Sequence, residues 1–121
     1  MPMEVVDLAE KFALFSDHWR PRIVGELNGQ QVKLARLKGE FIWHHHDDAD
    51  ELFLVIGGTL RMKLPDGEAQ VAAGEFIIVP RRVEHLPVAD DEVLVLLCEP
   101  ASMRNTGNVE NERTLTALEH I

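Results

Sequence analysis

The chain has one cysteine, Cys98, no tyrosine, and only 6% aromatic residues. A lone cysteine excludes an intrachain disulfide, so the fold has no disulfide staple and a reducing, cytoplasmic setting is expected. Cys98 ends the apolar run Val93–Cys98, where a thiol reads as a small buried hydrophobe rather than a nucleophile. Without tyrosine, one common acid or base is missing. Basic residues are scarce: 12 Lys and Arg stand against 21 Asp and Glu, for a net charge of −9. They are scattered, with Arg81-Arg82 the only adjacent pair, which argues against a nucleic-acid partner. No apolar stretch approaches the roughly 18 residues of a membrane span. Met1-Pro2-Met3-Glu4 carries neither a basic n-region nor a signal-like apolar stretch. No Gly-rich phosphate loop is visible, so a phosphosugar substrate gains no support.

What is present is a series of short apolar runs between turn signals. With 121 residues and 45% hydrophobic content, the chain is expected to form one domain over 1–121. Turn signals recur at Asn28-Gly29, Gly39, Gly57-Gly58, Asp66-Gly67, Gly74, Pro80 and Asp90-Asp91. That spacing predicts an all-β sandwich or barrel. Asn28-Gly29 and Asp66-Gly67 each predict a two-residue type I′ hairpin, in which both central residues take positive φ. Along Thr59–Leu64 the alternation puts Leu60, Met62 and Leu64 inside and Thr59, Arg61 and Lys63 outside. Along Glu51–Ile56 both faces are apolar apart from Glu51, with Leu52, Leu54 and Ile56 opposite Phe53 and Val55. Val5, Leu8, Phe12 and Phe15 have helical spacing and predict a short N-terminal helix over Val5–Phe15. Residues 101–121 read as a loop and then a tail, with a helical turn as one option, packing on the body.

The chemistry concentrates in Trp43-His44-His45-His46, Asp50-Glu51 and His85. His44 and His46 are two apart, so on an extended segment they point to one face. Three imidazoles and a carboxylate are ligands for a divalent transition metal. They converge only if the strands curl around a common interior. The acidic string Asp47, Asp48, Asp50 reads as a solvated loop.

Residues 31–99 resemble the cupins. Gly39, His44, His46, Glu51 and Gly58 match the first cupin motif, a glycine, His-x-His, a glutamate and a glycine. Gly74, Pro80 and His85 match the second motif, and the motif segments run over 39–58 and 74–89. The match has departures. Only four residues lie between Gly39 and His44, where five are usual; keeping five selects His45 and Asp47 instead. The run Trp43–Glu51 favours His44 and His46, as in several small cupins. Arg82 stands where a glycine is usual, and Ala89 where an asparagine is common.

The resemblance implies a double-stranded β-helix (jelly-roll) barrel with a short N-terminal helix and a C-terminal tail. It implies one divalent metal ion (Zn, Fe, Ni, Mn or Cu) held by His44, His46, Glu51 and His85. Such a centre leaves coordination positions for water or substrate. The pattern resembles small cupins often labelled mannose-6-phosphate-isomerase-like, a label that rests on motifs and names no substrate. The expected activity is that of a small metal-dependent enzyme, an isomerase or oxygenase, on a polar small molecule, sugar-like or a keto or enol acid. The alternative is a metal-stabilised binding module without turnover, or a barrel whose metal only adds stability. Phe53, Val55, Met62 and Ile78 are the expected pocket wall. Arg36 or Arg61 would suit a carboxylate if either faced inward; alternation puts Arg61 outside and leaves Arg36 open. The second apolar face of Glu51–Ile56 needs cover, which predicts a homodimer, or else an N-terminal helix or C-terminal tail folded over it.

Overall fold

The structure is a computed structural model and describes residues 3–121; Met1-Pro2, part of the N-terminal segment read above as lacking signal-peptide features, lie outside the described residues. The chain forms one short helix, α1 (Leu8–Phe12), and eight strands. These are β1 (Arg22–Leu27), β2 (Gln30–Glu40), β3 (Glu51–Gly57), β4 (Thr59–Leu64), β5 (Gly67–Ala72), β6 (Phe76–Val79), β7 (Leu86–Pro100) and β8 (Glu119–His120). Strand order is β5-β4-β7-β2-β1-β8, with β3 bonded to both β6 and β7. The long β7 organises the jelly roll. Its first residues pair with β4 (Leu86↔Lys63 to Val88↔Arg61), and its later ones pair with β3 (Leu94↔Gly57 to Cys98↔Leu52). Antiparallel β2 runs along its other edge.

The hairpin chemistry explains two turns differently. Asn28 (φ 52) and Gly29 (φ 78) both take positive φ, as a type I′ turn requires. The β4–β5 turn is not of this type. Its loop is Pro65-Asp66, neither residue has positive φ, and Gly67 already pairs with Leu64. Proline presets the negative φ of a type I turn, so the loop moves back by one residue. Two other turn signals lie inside strands. Gly39, at φ 86, sits at the register shift between Leu37 and Gly39 in β2, and Asp90-Asp91 form the exposed bend of β7.

Alternation fills the barrel. Phe53 and Val55 of β3, Leu60 and Met62 of β4, and Val93, Val95 and Leu97 of β7 are buried in one cluster. The opposite face carries a second cluster, in which Phe12, Phe15 and Leu34 pack with Ile56, Leu94, Leu96 and Ile121. The helix is shorter than its spacing suggests. It starts after the N-cap Asp7, whose side chain accepts from Glu10 N, and Val5 is left 97% exposed. Arg36 faces outward and pins this segment. It donates to the carbonyls of Phe15 and Phe12 at 2.9 Å each and to Glu92 at 2.8 Å. The C-terminal tail forms no helix; β8 pairs in parallel with β1 and carries Ile121 onto the second cluster. Among the described residues, no helix is long and apolar enough to cross a membrane.

Candidate metal centre

The segment after β2 bridges back to the residue before β7. His44 N donates to the His85 carbonyl at 3.1 Å, and His85 N donates to the His44 carbonyl at 2.9 Å. That bridge brings two distant stretches of sequence side by side. His44 and His46 point to one face of their extended segment, and Glu51 points inward from the first position of β3. One ligand atom from each of His44, His46, Glu51 and His85 lies within 4.8 Å of the others, and all four residues are buried. The register that selects His45 is not realised. His45 turns outward, its Nδ1 3.0 Å from Glu84 and its Nε2 2.9 Å from Asp47.

The donor set fits a cation. His44 Nδ1 and His85 Nδ1 lie 2.9 Å from the carbonyls of Ile42 and Val83. A carbonyl only accepts, so both Nδ1 atoms carry the proton and both Nε2 lone pairs turn inward. His85 Nε2, His46 Nε2 and Glu51 Oε1 are buried without a hydrogen-bond partner. Glu51 Oε1 sits 3.2 Å from His46 Nε2 and 3.6 Å from His85 Nε2. Lone pairs converging without a proton between them cost free energy unless a cation joins them. Burial, and then His85 beside it, lower the His44 pKa to about 4, so the ring is neutral and ready to ligate at neutral pH.

Two residues that the sequence reading passed over complete the interior. Lys33 and Glu99 are buried, at 2% and 3% exposure, and Lys33 Nζ donates to Glu99 Oε1 at 2.8 Å. Glu99 Oε2 is buried without a hydrogen-bond partner, and Glu99 lines the same cavity as Glu51. Burial opposes the charge on Glu51, but its neighbours Glu99, His46 and His85 outweigh it. Its pKa is held well below the usual carboxylate range. Burial and the neighbouring Glu51 charge push Glu99 well above that range, against the pull of Lys33. The signal in the sequence was phase. Alternation along Gln31–Leu37 puts Lys33 on the same inward face as Ala35 and Leu37.

A cavity of about 470 Å³, counting its solvent-open part, reaches His44 and Glu51 from one side. Its wall includes Trp19, Phe41, Phe53, Glu99 and Asn105. Trp19 and Phe41 stack at 4.9 Å, and Phe41 meets the His44 ring edge-on at 5.5 Å. Of the expected wall residues only Phe53 lines this cavity. Val55 and Met62 are fully buried deeper in the core. Ile78 lies outside at 51% exposure, because Val79 takes the inward phase of β6. Trp19, Phe41 and Asn105 come from segments without strand periodicity, so no pattern marked them.

The C-terminal segment clamps the ligand loop. Asn108 N donates to the His45 carbonyl at 2.9 Å, and His45 N donates to Asn108 Oδ1 at 2.8 Å. Gly107, at φ 57, packs so closely that an added Cβ would collide with the His45 carbonyl oxygen. The second-motif turn is held too. Arg82 adopts φ 69, the backbone that a glycine there would take, and its N–H donates to the His46 carbonyl at 2.7 Å. Asp50 accepts from Arg81 N at 2.9 Å, which gives the acidic string one structural member.

The Cupin_2 family model, described as a cupin domain, matches residues 31–98. The chain belongs to the cupin family. It is similar to a cupin-2 domain containing protein of Shewanella frigidimarina NCIMB 400, with 43% identity and a TM-score of 0.79 over 79% of this chain and 94% of that one. Protein NMB1881 of Neisseria meningitidis is 27% identical with a TM-score of 0.74, over 81% of this cupin and all (100%) of that chain. A curated relative, the uncharacterized protein YdbB of Bacillus subtilis (strain 168), is 38% identical over 80 residues. That match spans 65% of this chain and 65% of YdbB.

Proposed function

We propose that this cupin holds one divalent transition-metal ion through His44, His46, Glu51 and His85 and acts there on a polar small molecule. The observation that carries the reading is the convergence of four buried ligand atoms within 4.8 Å, three of them without hydrogen-bond partners. A metal there supplies a Lewis acid for an isomerase or oxygenase. Charge inside the barrel narrows the substrate. Lys33 is the buried cation and is engaged by Glu99, while Arg36 and Arg61 both face outward. The proposed ion, held by one carboxylate and three neutral rings, is then the free positive charge facing the cavity, so a hydroxyl-bearing or keto or enol acid molecule that binds at the metal suits it better than a sugar phosphate, whose phosphate would need a further cation. The apolar and aromatic wall, whose further carboxyl Glu99 is taken up by Lys33, favours a second reading, a metal-stabilised binding module without turnover. A cytoplasmic setting fits the lone cysteine in either case.

Metal analysis of freshly purified protein tests the first step. A thermal-shift screen of the loaded protein with neutral sugars, hydroxyketones, keto acids and sugar phosphates tests the second, and each hit is then assayed for turnover. Absence of metal after loading refutes the reading. Selective stabilisation by sugar phosphates refutes the charge argument alone.

A further inference from the structure

Beyond the metal ligands, nearly every polar side-chain atom on the wall of the cavity beside His44 and Glu51 is already paired. Trp19 Nε1 donates to the Lys38 carbonyl at 2.8 Å. Asn105 is used at both ends, donating to the Arg113 carbonyl at 2.8 Å and accepting from Leu115 N at 2.9 Å. Glu99 Oε1 accepts from Lys33 Nζ at 2.8 Å. Glu99 Oε2 remains, buried and without a hydrogen-bond partner. Register sets this residue beside the ligands. On the β3–β7 ladder Leu52 pairs with Cys98 and Phe53 with Leu97, so the next position sets Glu51 opposite Glu99. On the β2–β7 ladder Lys33 pairs with Leu97, so it reaches Glu99 diagonally and holds one carboxyl oxygen. The rest of the wall is apolar, with Leu37, Phe53 and Val95 beside the stacked Trp19 and Phe41 rings. Trp19 has a left-handed backbone, φ 61, unusual for a bulky residue. Its N–H bond to the Arg36 carbonyl, its indole bond and the Phe41 stack hold it there. Backbone strain held in place by its surroundings is a mark of ligand sites.

We propose that Glu99 is the specificity-determining residue of this cavity: its free carboxyl oxygen pairs with one hydroxyl of an aromatic diol, whose ring packs on the Trp19–Phe41 wall and whose second oxygen reaches the metal centre. The inference rests on the metal reading above and names the class of ligand. A buried polar atom without a partner costs free energy until a ligand supplies one. A hydroxyl both donates and accepts, so it pairs with a carboxyl whether or not that carboxyl carries a proton. The count of free polar atoms then sets the class. A sugar brings several hydroxyls to a wall with one free side-chain polar atom beyond the metal ligands, and each hydroxyl buried unpaired is costly. A flat ring with two hydroxyls leaves none unpaired. One meets Glu99, one meets the ion, and apolar and aromatic side chains cover the ring.

Each protein is loaded with Zn(II), which has no redox chemistry and leaves the ring intact, and its metal content is measured first. Titration calorimetry under argon then compares phenol, resorcinol, hydroquinone and xylose. The better of the two diols should bind wild type about five- to tenfold more tightly than phenol, the worth of one net hydrogen bond. Xylose should bind more weakly than that diol. In the double variant Lys33→Met/Glu99→Leu the free oxygen is gone, yet no buried charge is left unpaired, so the barrel can still fold. There the advantage of the diol over phenol should shrink to within about twofold. Diols that bind wild type no better than phenol overturn the inference. So does an advantage that survives in the double variant, or xylose binding more tightly than both diols. Where the double variant fails to fold or to take up Zn(II), a crystal structure of wild type with the better diol decides. A hydroxyl within hydrogen-bond distance of the Glu99 carboxyl supports the inference, and any other placement overturns it. No Zn(II) uptake by wild type overturns the metal reading itself, and the inference with it.

Discussion

Acidifying the metal-free protein should remove stability that His44 contributes. His44 is 2% exposed, and burial, then His85, lower its pKa to about 4. An unfolded imidazole titrates at about 6.5. Because the folded value is the lower one, the unfolded state takes up the proton first. The His44 contribution is complete above about pH 6.5 and is lost as pH falls toward about 4. Within that window the loss is about 1.4 kcal/mol per pH unit, or about 2 kcal/mol between about pH 7 and 5. The two carboxyls act elsewhere or in the other direction. Glu51, held low, loses its contribution only below the ordinary glutamate range. Glu99, held high, favours the folded state in acid and loses that contribution as pH rises. A variant that changes His44 alone separates these effects. His44→Asn keeps an N–H aimed at the Ile42 carbonyl and carries no titrating group. Urea unfolding with a chelator present, at about pH 7, 6 and 5, measures the difference. Wild type should lose about 2 kcal/mol more than His44→Asn over that range. Parallel pH profiles for the two proteins would falsify the assignment. The metal-loaded protein should show a further gap over the chelated one, present above about pH 6.5 and closing in acid as protons displace the ion.

Replacing His44, His46, Glu51 or His85 with Ala should each remove most of the bound metal, whereas His45→Ala, whose ring is turned to Glu84 and Asp47, should retain it; metal analysis after dialysis decides, and emptying by His45→Ala alone would restore the other register. Gly107→Ala should cost at least about 1–2 kcal/mol from the left-handed backbone alone, and weaken metal binding as well, because the new Cβ meets the His45 carbonyl and the His44 ring; an unchanged melting temperature and metal affinity would sink this account of the clamp. The chain should be a homodimer. Its N-terminal segment covers Ile56 and Leu94, but Phe76 and Ile78 remain 60% and 51% exposed beside Leu54 and Leu52. Light scattering should give about twice 13.7 kDa, and Phe76→Lys should halve it without unfolding; a monomer mass for wild type refutes the dimer.

The amino-acid sequence by itself determined the ligand chemistry and much of the strand phase. His44 and His46 share a face because an extended segment has period two, and the same period set Phe53, Leu60, Met62 and Val95 inside. Asn28-Gly29 specified its hairpin because both residues tolerate positive φ, while at Asp66-Gly67 a preceding proline shifted the loop, a local effect that the dipeptide alone concealed. The tertiary structure decided what lies beside the ligands. Glu99 faces Glu51, and Lys33 reaches Glu99, through ladder registers that join residues 48 and 66 positions apart, and periodicity along one strand carries no information about its neighbour. Trp19, Phe41 and Asn105 reached the cavity wall from irregular segments with no period to read. The cover over Ile56 was likewise undecided in sequence, because a face with apolar residues states only that it needs burial. Which segment supplies that burial depends on where the chain returns in space.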